Sequence, residues 1–404
     1  MAIQKIHGSY RDREINIVLN GKDLIVTGIN GSGKTVFLNE LYMHIKRQIE
    51  WCPASLDTLL AKLTTLTSSA NSSSPQLIGR GVDSIESLQS QVSELKKHIA
   101  LEIPEQASIN ALYGNRHAVV LLFAAGRSSN IRRSEGARGV ESVKDKFRSI
   151  AIETPISDSF EEHLVNLKSR HALAIVEDGN LSLAASLKKW IDDFEVNLAS
   201  LMEDPSVKLV FDSNQLKFSI IRDKLPTTDF QNLSSGYSAI FAIYAELLVR
   251  TAYFDISPDS MRGIVVIDEL DAHLHVSLQR MILPFLKKSF PLIQFIVSTH
   301  SPFILTSVED SVIYDLGENS VVDTDISMYS YSSVMKGLLG TPPTSIVLDK
   351  IIKDLTSECQ KTSPDAHTLQ ELIAKVEPSL DMLDVATKVF VEMARSKISD
   401  LSEG

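Results

Sequence analysis

Four short stretches of this 404-residue chain carry residue types whose spacing could do chemistry on a phosphate. Gly28-Ile29-Asn30-Gly31-Ser32-Gly33-Lys34-Thr35 fits GxxxxGK[ST] at every fixed position. Glycines let successive backbone N–H groups turn inward toward phosphate oxygens, and a helix opening at Lys34 adds the positive end of its dipole. Asn30, Gly31, Ser32 and Gly33 are therefore candidate cradle residues. Lys34 is the candidate for the β- and γ-phosphates of a nucleotide, and Thr35 for a Mg²⁺ ion through its hydroxyl. In Gly263-Ile-Val-Val-Ile-Asp268-Glu269 an apolar run ends in two carboxylates. Asp268 is a candidate Mg²⁺ ligand, and Glu269 a group to orient and polarise an attacking water. Leu233-Ser234-Ser235-Gly236-Tyr237 places small residues where a helix begins, so that N–H groups and hydroxyls can face an anion. Ser298-Thr299-His300-Ser301-Pro302 follows a second apolar run and brings up one imidazole.

The elements that must position these groups are legible from periodicity. Residues 2–28 read as short strands, the last being Asp23–Thr27. A helical pattern follows the glycine loop through Phe37, Leu38, Leu41 and Ile45. His117–Ala125, Gly263–Ile267 and Ile293–Ser298 read as buried strands. Helices are expected over Phe160–Val176, Leu181–Leu201, 233–250 and Leu274–Phe290, with a turn at Asp178-Gly179-Asn180. Val207–Phe211 with Leu216–Arg222, and Val312–Leu316 with Val321–Asp325, read as hairpins. From Tyr331 onward the pattern is helical. Between these lie a Ser/Thr/Asn-rich stretch at 64–75, read as a linker, and an apolar seam Ile85, Leu88, Val92, Leu95, Ile99 of about two heptads.

Composition bounds the rest. Apolar residues make up 44% and charged residues 23%, as in ordinary globular proteins. No apolar run approaches the roughly 18–20 residues needed to span a bilayer, and the N-terminus has no apolar signal core, so a cytoplasmic protein with no membrane partner is expected. Cys52 and Cys359 are the chain's 2 cysteines, too few for a metal set and suited to a reducing compartment. A net charge of −11 excludes a globally basic nucleic-acid coat. Contact with DNA or RNA would need a local patch, for which 127–148 (Arg127, Arg132, Arg133, Arg138, Lys144, Lys146, Arg148) is the candidate.

LSSGY resembles the LSGGQ signature of the ABC ATPase superfamily, and the order of phosphate loop, signature, carboxylate strand and later histidine is that superfamily's order. Asp268–Gln279 (DELDAHLHVSLQ), Ser298–Leu305 (STHSPFIL) and Tyr329–Ser345 are similar in wording to OLD-family and related AAA-type ATPases of bacterial anti-phage defence, among them those of Septu, retron-linked and PARIS-like systems. The resemblance covers about residues 1–50 and 205–345.

It implies an α/β fold: an ABC-type P-loop ATPase head with a mixed central sheet, split between 1–50 and 205–330, an inserted α-helical subdomain over 51–204, and a helical segment over 331–404. It implies a Mg²⁺-dependent ATPase with ATP bound at a head-to-tail interface of a homodimer or higher homo-oligomer. Lys34, Glu269 and His300 would be catalytic, Ser234, Ser235 and Gly236 would face the partner's nucleotide, and Asp271 would take the place of the D-loop aspartate. No Q-loop glutamine is assigned. OLD nucleases carry a Toprim domain with a DxD motif. Here Asp323-Thr-Asp325 is followed by too little chain for a further sheet of roughly 100 residues, so it reads as a hairpin end, and a separate nuclease or effector protein is the implied partner. His273 and His275 begin a helix, where i and i+2 diverge, and the resemblance makes them a packing and dimer-contact feature rather than metal ligands. A RecF- or Rad50-like DNA-repair ATPase and an ABC transporter nucleotide-binding subunit are the alternatives.

Overall fold

The computed structural model describes residues 2–51, 64–65, 99–104, 106–322, 326–340, 344–361, 363–383 and 385–403. The linker at 64–75, apart from residues 64 and 65, the seam from Ile85 to Leu95, Cys52 and Asp323-Thr-Asp325 lie outside the described residues. The chain divides into two units, Met1–Tyr329 and Ser330–Gly404.

The first unit is organised around its strands. β1 (Lys5–Tyr10) and β2 (Arg13–Val18) form a hairpin, and β3 (Asp23–Thr27) follows. The two-residue turn Arg11-Asp12 has both residues at positive φ, 49° and 62°, the conformation whose twist suits a tight hairpin. α1 (Lys34–Trp51) comes next, then β4 (Ile99–Glu102), α2 (Gln106–Gly114), β5 (Ala118–Phe123), α3 (Val140–Ser149), α4 (Phe160–Val176) and α5 (Leu181–Leu201). β6 (Lys208–Asp212), β7 (Lys217–Ile221) and β8 (Thr228–Asp229) form a small antiparallel sheet. The unit is completed by α6 (Ser235–Tyr253), β9 (Arg262–Ile267), α7 (Val276–Ser289), β10 (Ile293–Ser298), α8 (Pro302–Leu305), β11 (Ser311–Asp315) and β12 (Ser320–Val321).

The central sheet has the order β12-β11-β3-β10-β9-β5. All of its pairings are parallel except β11 with β12, so the sheet is mixed and the fold is α/β, as the sequence led us to expect. β3 and β10 are buried at every residue, which is why they read as continuous apolar runs. One apolar cluster joins Phe37, Leu38, Leu41, Ile45 and Ile49 of α1 to Leu24, Val26, Val266 and Ile296 of this sheet and to Ile6, Ile15 and Ile17 of the β1–β2 hairpin. α6 is buried almost throughout, and its Phe241 and Tyr244 sit in an aromatic cluster with Phe160, Phe194 and Phe230.

Two elements differ from expectation. β4 pairs with β1 and β5 forms an edge of the central sheet, so 99–123, expected within a helical insertion, supplies strands to the head. Ile99, the last member of the heptad seam, lies in β4 opposite Gly8. The last hairpin joins the central sheet, because β11 also pairs with β3.

The second unit contains α9 (Tyr331–Gly337), α10 (Ile346–Cys359), α11 (Ala366–Val376) and α12 (Val385–Glu403). Leu355, Leu369, Ile373, Val376, Val391 and Ala394 make its core. Among the described residues, no helix is long and apolar enough to cross a membrane.

Candidate functional site

Because their strands run parallel in one sheet, the chain segments that leave β3, β5, β9, β10 and β11 all emerge at the same edge, the usual place for a site in such a sheet. The phosphate-loop candidates leave β3. Gly28, Gly31 and Gly33 all have positive φ, 136°, 80° and 94°. Asn30 and Gly31 are exposed, Ser32 is half-buried, and the Ser32 hydroxyl is buried without a hydrogen-bond partner. Lys34 is 6% exposed and folds over its own loop, donating to the carbonyls of Gly28 at 3.1 Å and Ile29 at 3.3 Å. Burial pushes its pKa down, opposed by Glu269, Asp268, Asp271 and Asp315. Thr35 is exposed in the first turn of α1.

β9 delivers Asp268, which is buried, and Glu269, whose side chain is exposed. β10 ends one strand over in Ser298. The Ser298 hydroxyl donates to Asp268 Oδ1 at 2.6 Å and accepts from the Glu269 N–H at 2.7 Å. The Leu270 N–H donates to the Ser298 carbonyl at 2.9 Å. These bonds hold Glu269 in the left-handed region at φ 45°, a conformation that side chains other than glycine rarely adopt without such support.

His300 follows directly on this bridge. Thr299 Oγ1 and the His300 N–H both donate to Asp271 Oδ1, at 2.5 and 3.4 Å, so Asp271 latches the turn after β9 to the turn after β10. Burial and the nearby Lys34 push the imidazole pKa down, against the pull of Asp271 and Glu269. The ring is therefore neutral at pH 7, given an ordinary histidine pKa near 6.5.

Ser234 caps α6 by position, and Ser234 and Ser235 are exposed. Gly236 is buried, and a Cβ there would stand 3.0 Å from the His273 carbonyl oxygen. Glycine is what allows the first turn of α6 to lie against the segment that carries Asp271. His275 caps α7, its Nδ1 accepting from the Ser277 N–H at 3.5 Å. The loop after β5 also reaches this turn: the Ser129 N–H donates to the Ser238 carbonyl and hydroxyl at 3.1 and 3.0 Å.

Two residues of the site were not assigned to it from sequence. Arg127 directs its guanidinium at the backbone carbonyls of Asp268, Glu269 and Leu270, at 2.8, 3.3 and 3.0 Å. Burial pushes its pKa down to about 10, against the pull of Asp271, Asp268 and Glu269. Arg11, in the β1–β2 turn, lies over the Tyr10 ring at 5.4 Å. Its Nη1 stands 2.6 Å from where a Cβ on Gly33 would be, so a guanidinium rests on the phosphate loop.

The other cations of 127–148 are largely matched by carboxylates. Arg132 pairs with Asp158, Arg133 with Asp229, Arg138 with Glu162, Lys144 with Asp255 and Arg148 with Asp145. Most of these acids are distant in sequence, so counting charges along the segment could not reveal the neutralisation.

Residues 118–306 match the model of a family described as "AAA domain, putative AbiEii toxin, Type IV TA system". The chain is 36% identical over 109 residues to the retron Ec83 probable ATPase of Escherichia coli, covering 26% of this chain and 18% of that protein. It is 33% identical over 137 residues to the retron Vc95 probable ATPase of Vibrio cholerae, covering 31% and 26%. It is 40% identical over 93 residues to the Septu protein PtuA of Bacillus mycoides, covering 22% and 12%. The matches thus span between 12% and 26% of these relatives' own lengths. The similarity to retron-linked and Septu ATPases that the motifs carry is a similarity of sequence as well.

Proposed function

We propose that this chain is an ABC-type ATPase that binds ATP at a head-to-tail interface between two copies and hydrolyses it there. The observation that carries this reading is the Ser298 bridge, which ties the carboxylate strand to the histidine strand beside the phosphate loop. The loop residues Asn30 to Gly33 receive the phosphates through backbone N–H groups and the unpartnered Ser32 hydroxyl, and Lys34 moves from its loop carbonyls to the phosphate chain. Thr35 and Asp268 offer hard oxygen donors that fit Mg²⁺, which when bound would neutralise the β- and γ-phosphates. Glu269 orients the attacking water and takes up its proton. Neutral His300 accepts or donates a hydrogen bond at the γ-phosphate side without adding charge. Ser234, Ser235 and Gly236 serve the nucleotide held by the other copy, since their exposed α6 terminus offers N–H groups and hydroxyls to an anion.

In this reading ATP binding favours the closed pair and hydrolysis releases it. The likeness to retron probable ATPases and Septu PtuA supports a role in anti-phage defence; in this reading the chain acts in the cytoplasm as the ATP-driven control element of a separate nuclease or toxic effector protein. The paired cations of 127–148 leave DNA or RNA contact at that segment out of the proposal.

The test is phosphate release from MgATP by the full chain. Multiple turnovers are expected, with Glu269→Gln slower by roughly 10²- to 10⁴-fold, the range for loss of a general base. Equal rates for the two proteins would overturn the assignment.

A further inference from the structure

His300 is held through both of its neighbours in the chain. On one side Thr299 is tied to Asp271. On the other, Ser301 is 5% exposed, and its hydroxyl is fully committed. The oxygen accepts from the Phe303 and Ile304 N–H groups at 3.1 and 3.4 Å, as the cap of α8. A hydroxyl has two acceptor lone pairs and one proton. The proton is what remains, and it goes to Gln279 Oε1 at 2.6 Å. The Ser301 N–H donates to Thr299 Oγ1 at 2.9 Å, so the turn from Thr299 to Ser301 is one hydrogen-bonded unit around His300.

Gln279 is half-buried in α7, and both ends of its amide are used. Its Nε2 donates to the Leu274 carbonyl at 2.8 Å. An amide nitrogen donates and an amide oxygen accepts. With a carbonyl on one side and a hydroxyl proton on the other, this amide has one way to sit. The Leu274 N–H donates to the Asp271 carbonyl at 3.1 Å, so Leu274 and Asp271 belong to one turn. The same turn lies against Gly236, in the first turn of α6. Asp271 and Gln279 thus fix the two flanks of His300 to a single segment.

We propose that Gln279 is a positioning residue for His300: it acts through Ser301 to hold the imidazole in place, and its second bond refers that place to the segment on which α6 rests. The effect on turnover rests on the ATPase reading above; the tie itself does not.

Gln279→Met keeps the length of the side chain and removes both bonds. In hydrogen–deuterium exchange on the full chain, the amides of 299–306 are expected to exchange about fivefold faster than in the wild type. In phosphate release from MgATP, kcat is expected to fall about tenfold with KM within about twofold, since the change leaves the phosphate loop untouched. Gln279→Glu keeps an oxygen facing Ser301 and recovers at least part of both losses. Ser301→Ala combined with Gln279→Met lowers kcat no further than Ser301→Ala alone, because the two changes break the same bond. Gln279→Ala, a helix-favouring replacement, gives the same two readings where Gln279→Met does not fold. The proposal is overturned by unaltered exchange over 299–306, by kcat within twofold of wild type, by a change in KM alone, by Gln279→Glu faring no better than Gln279→Met, or by losses that multiply in the double variant. A wild type that releases no phosphate at all would sink the ATPase reading by itself, and the exchange measurement would still decide the tie.

Discussion

The Ser298 hydroxyl donates to the Asp268 carboxylate at 2.6 Å. The same oxygen accepts from the Glu269 N–H at 2.7 Å, so one side chain sets the positions of the proposed metal ligand and the proposed base together. Ser298→Ala removes both bonds and leaves the Glu269 N–H without its partner. A hydrogen bond to a charged group is worth roughly 1.5–3 kcal/mol, so ATP turnover is expected to fall about 10- to 100-fold. Steady-state phosphate release checks this, and turnover within twofold of wild type would show that the bridge is dispensable.

Arg127 holds three successive backbone carbonyls with one planar guanidinium. Lysine keeps the charge but not the fork. Arg127→Lys is therefore expected to lower kcat about tenfold or more with KM for ATP little changed, because its bonds go to the backbone that carries the carboxylates. Measuring kcat and KM separately checks this; a rise in KM alone would instead mark Arg127 as a nucleotide contact.

Gly236 lies against the His273 carbonyl. In Gly236→Ala the new methyl meets backbone that cannot swing aside, and the first turn of α6 must shift. The variant is expected to unfold in urea at about 1–2 kcal/mol lower stability, in the usual range for overpacking. Replacing Ser235, which is exposed, by alanine is expected to leave stability unchanged and so separates packing from partner contact.

Much of this architecture was legible because its cues are local. Asp23–Thr27, Ile293–Ser298 and Gly263–Ile267 are apolar enough to be read as interior strands. The helices Phe160–Val176 and Leu181–Leu201 end where Asp178-Gly179-Asn180 breaks the period, and the Asn180 side chain caps the second by accepting from the Leu183 N–H. What was not legible is long-range. β5 was read as a strand but not as part of the head, because only its pairing with β9 shows that. Arg127 appeared as one cation among seven, since its partners are carbonyl oxygens, which a sequence does not distinguish. Arg11 gave no signal beyond a charged turn, and only the close approach to Gly33 reveals it.

His300 sets the acid limb of the reaction. Its pKa lies below the ordinary histidine value, first through burial and then through Lys34. Turnover is therefore expected to be level from pH 8 to near 6.5 and to fall only at lower pH, as the ring gains a proton. Stability moves in the same direction. The unfolded chain protonates this residue first, so its contribution is lost as the pH drops from the ordinary value toward the depressed one. His300→Gln, neutral throughout, is expected to turn over more slowly and to lose part of the acid limb. A pH–rate profile of unchanged shape in this variant would contradict the assignment.

The account rests on two chains closing around shared nucleotide, and the mass of the Glu269→Gln variant in solution tests that most directly. With saturating MgATP, light scattering is expected to give at least twice the 44.6 kDa of the chain, and to return a smaller assembly when nucleotide is withdrawn or when Ser235→Glu places a negative charge against the partner's phosphates. A mass of one chain at saturating nucleotide would contradict it.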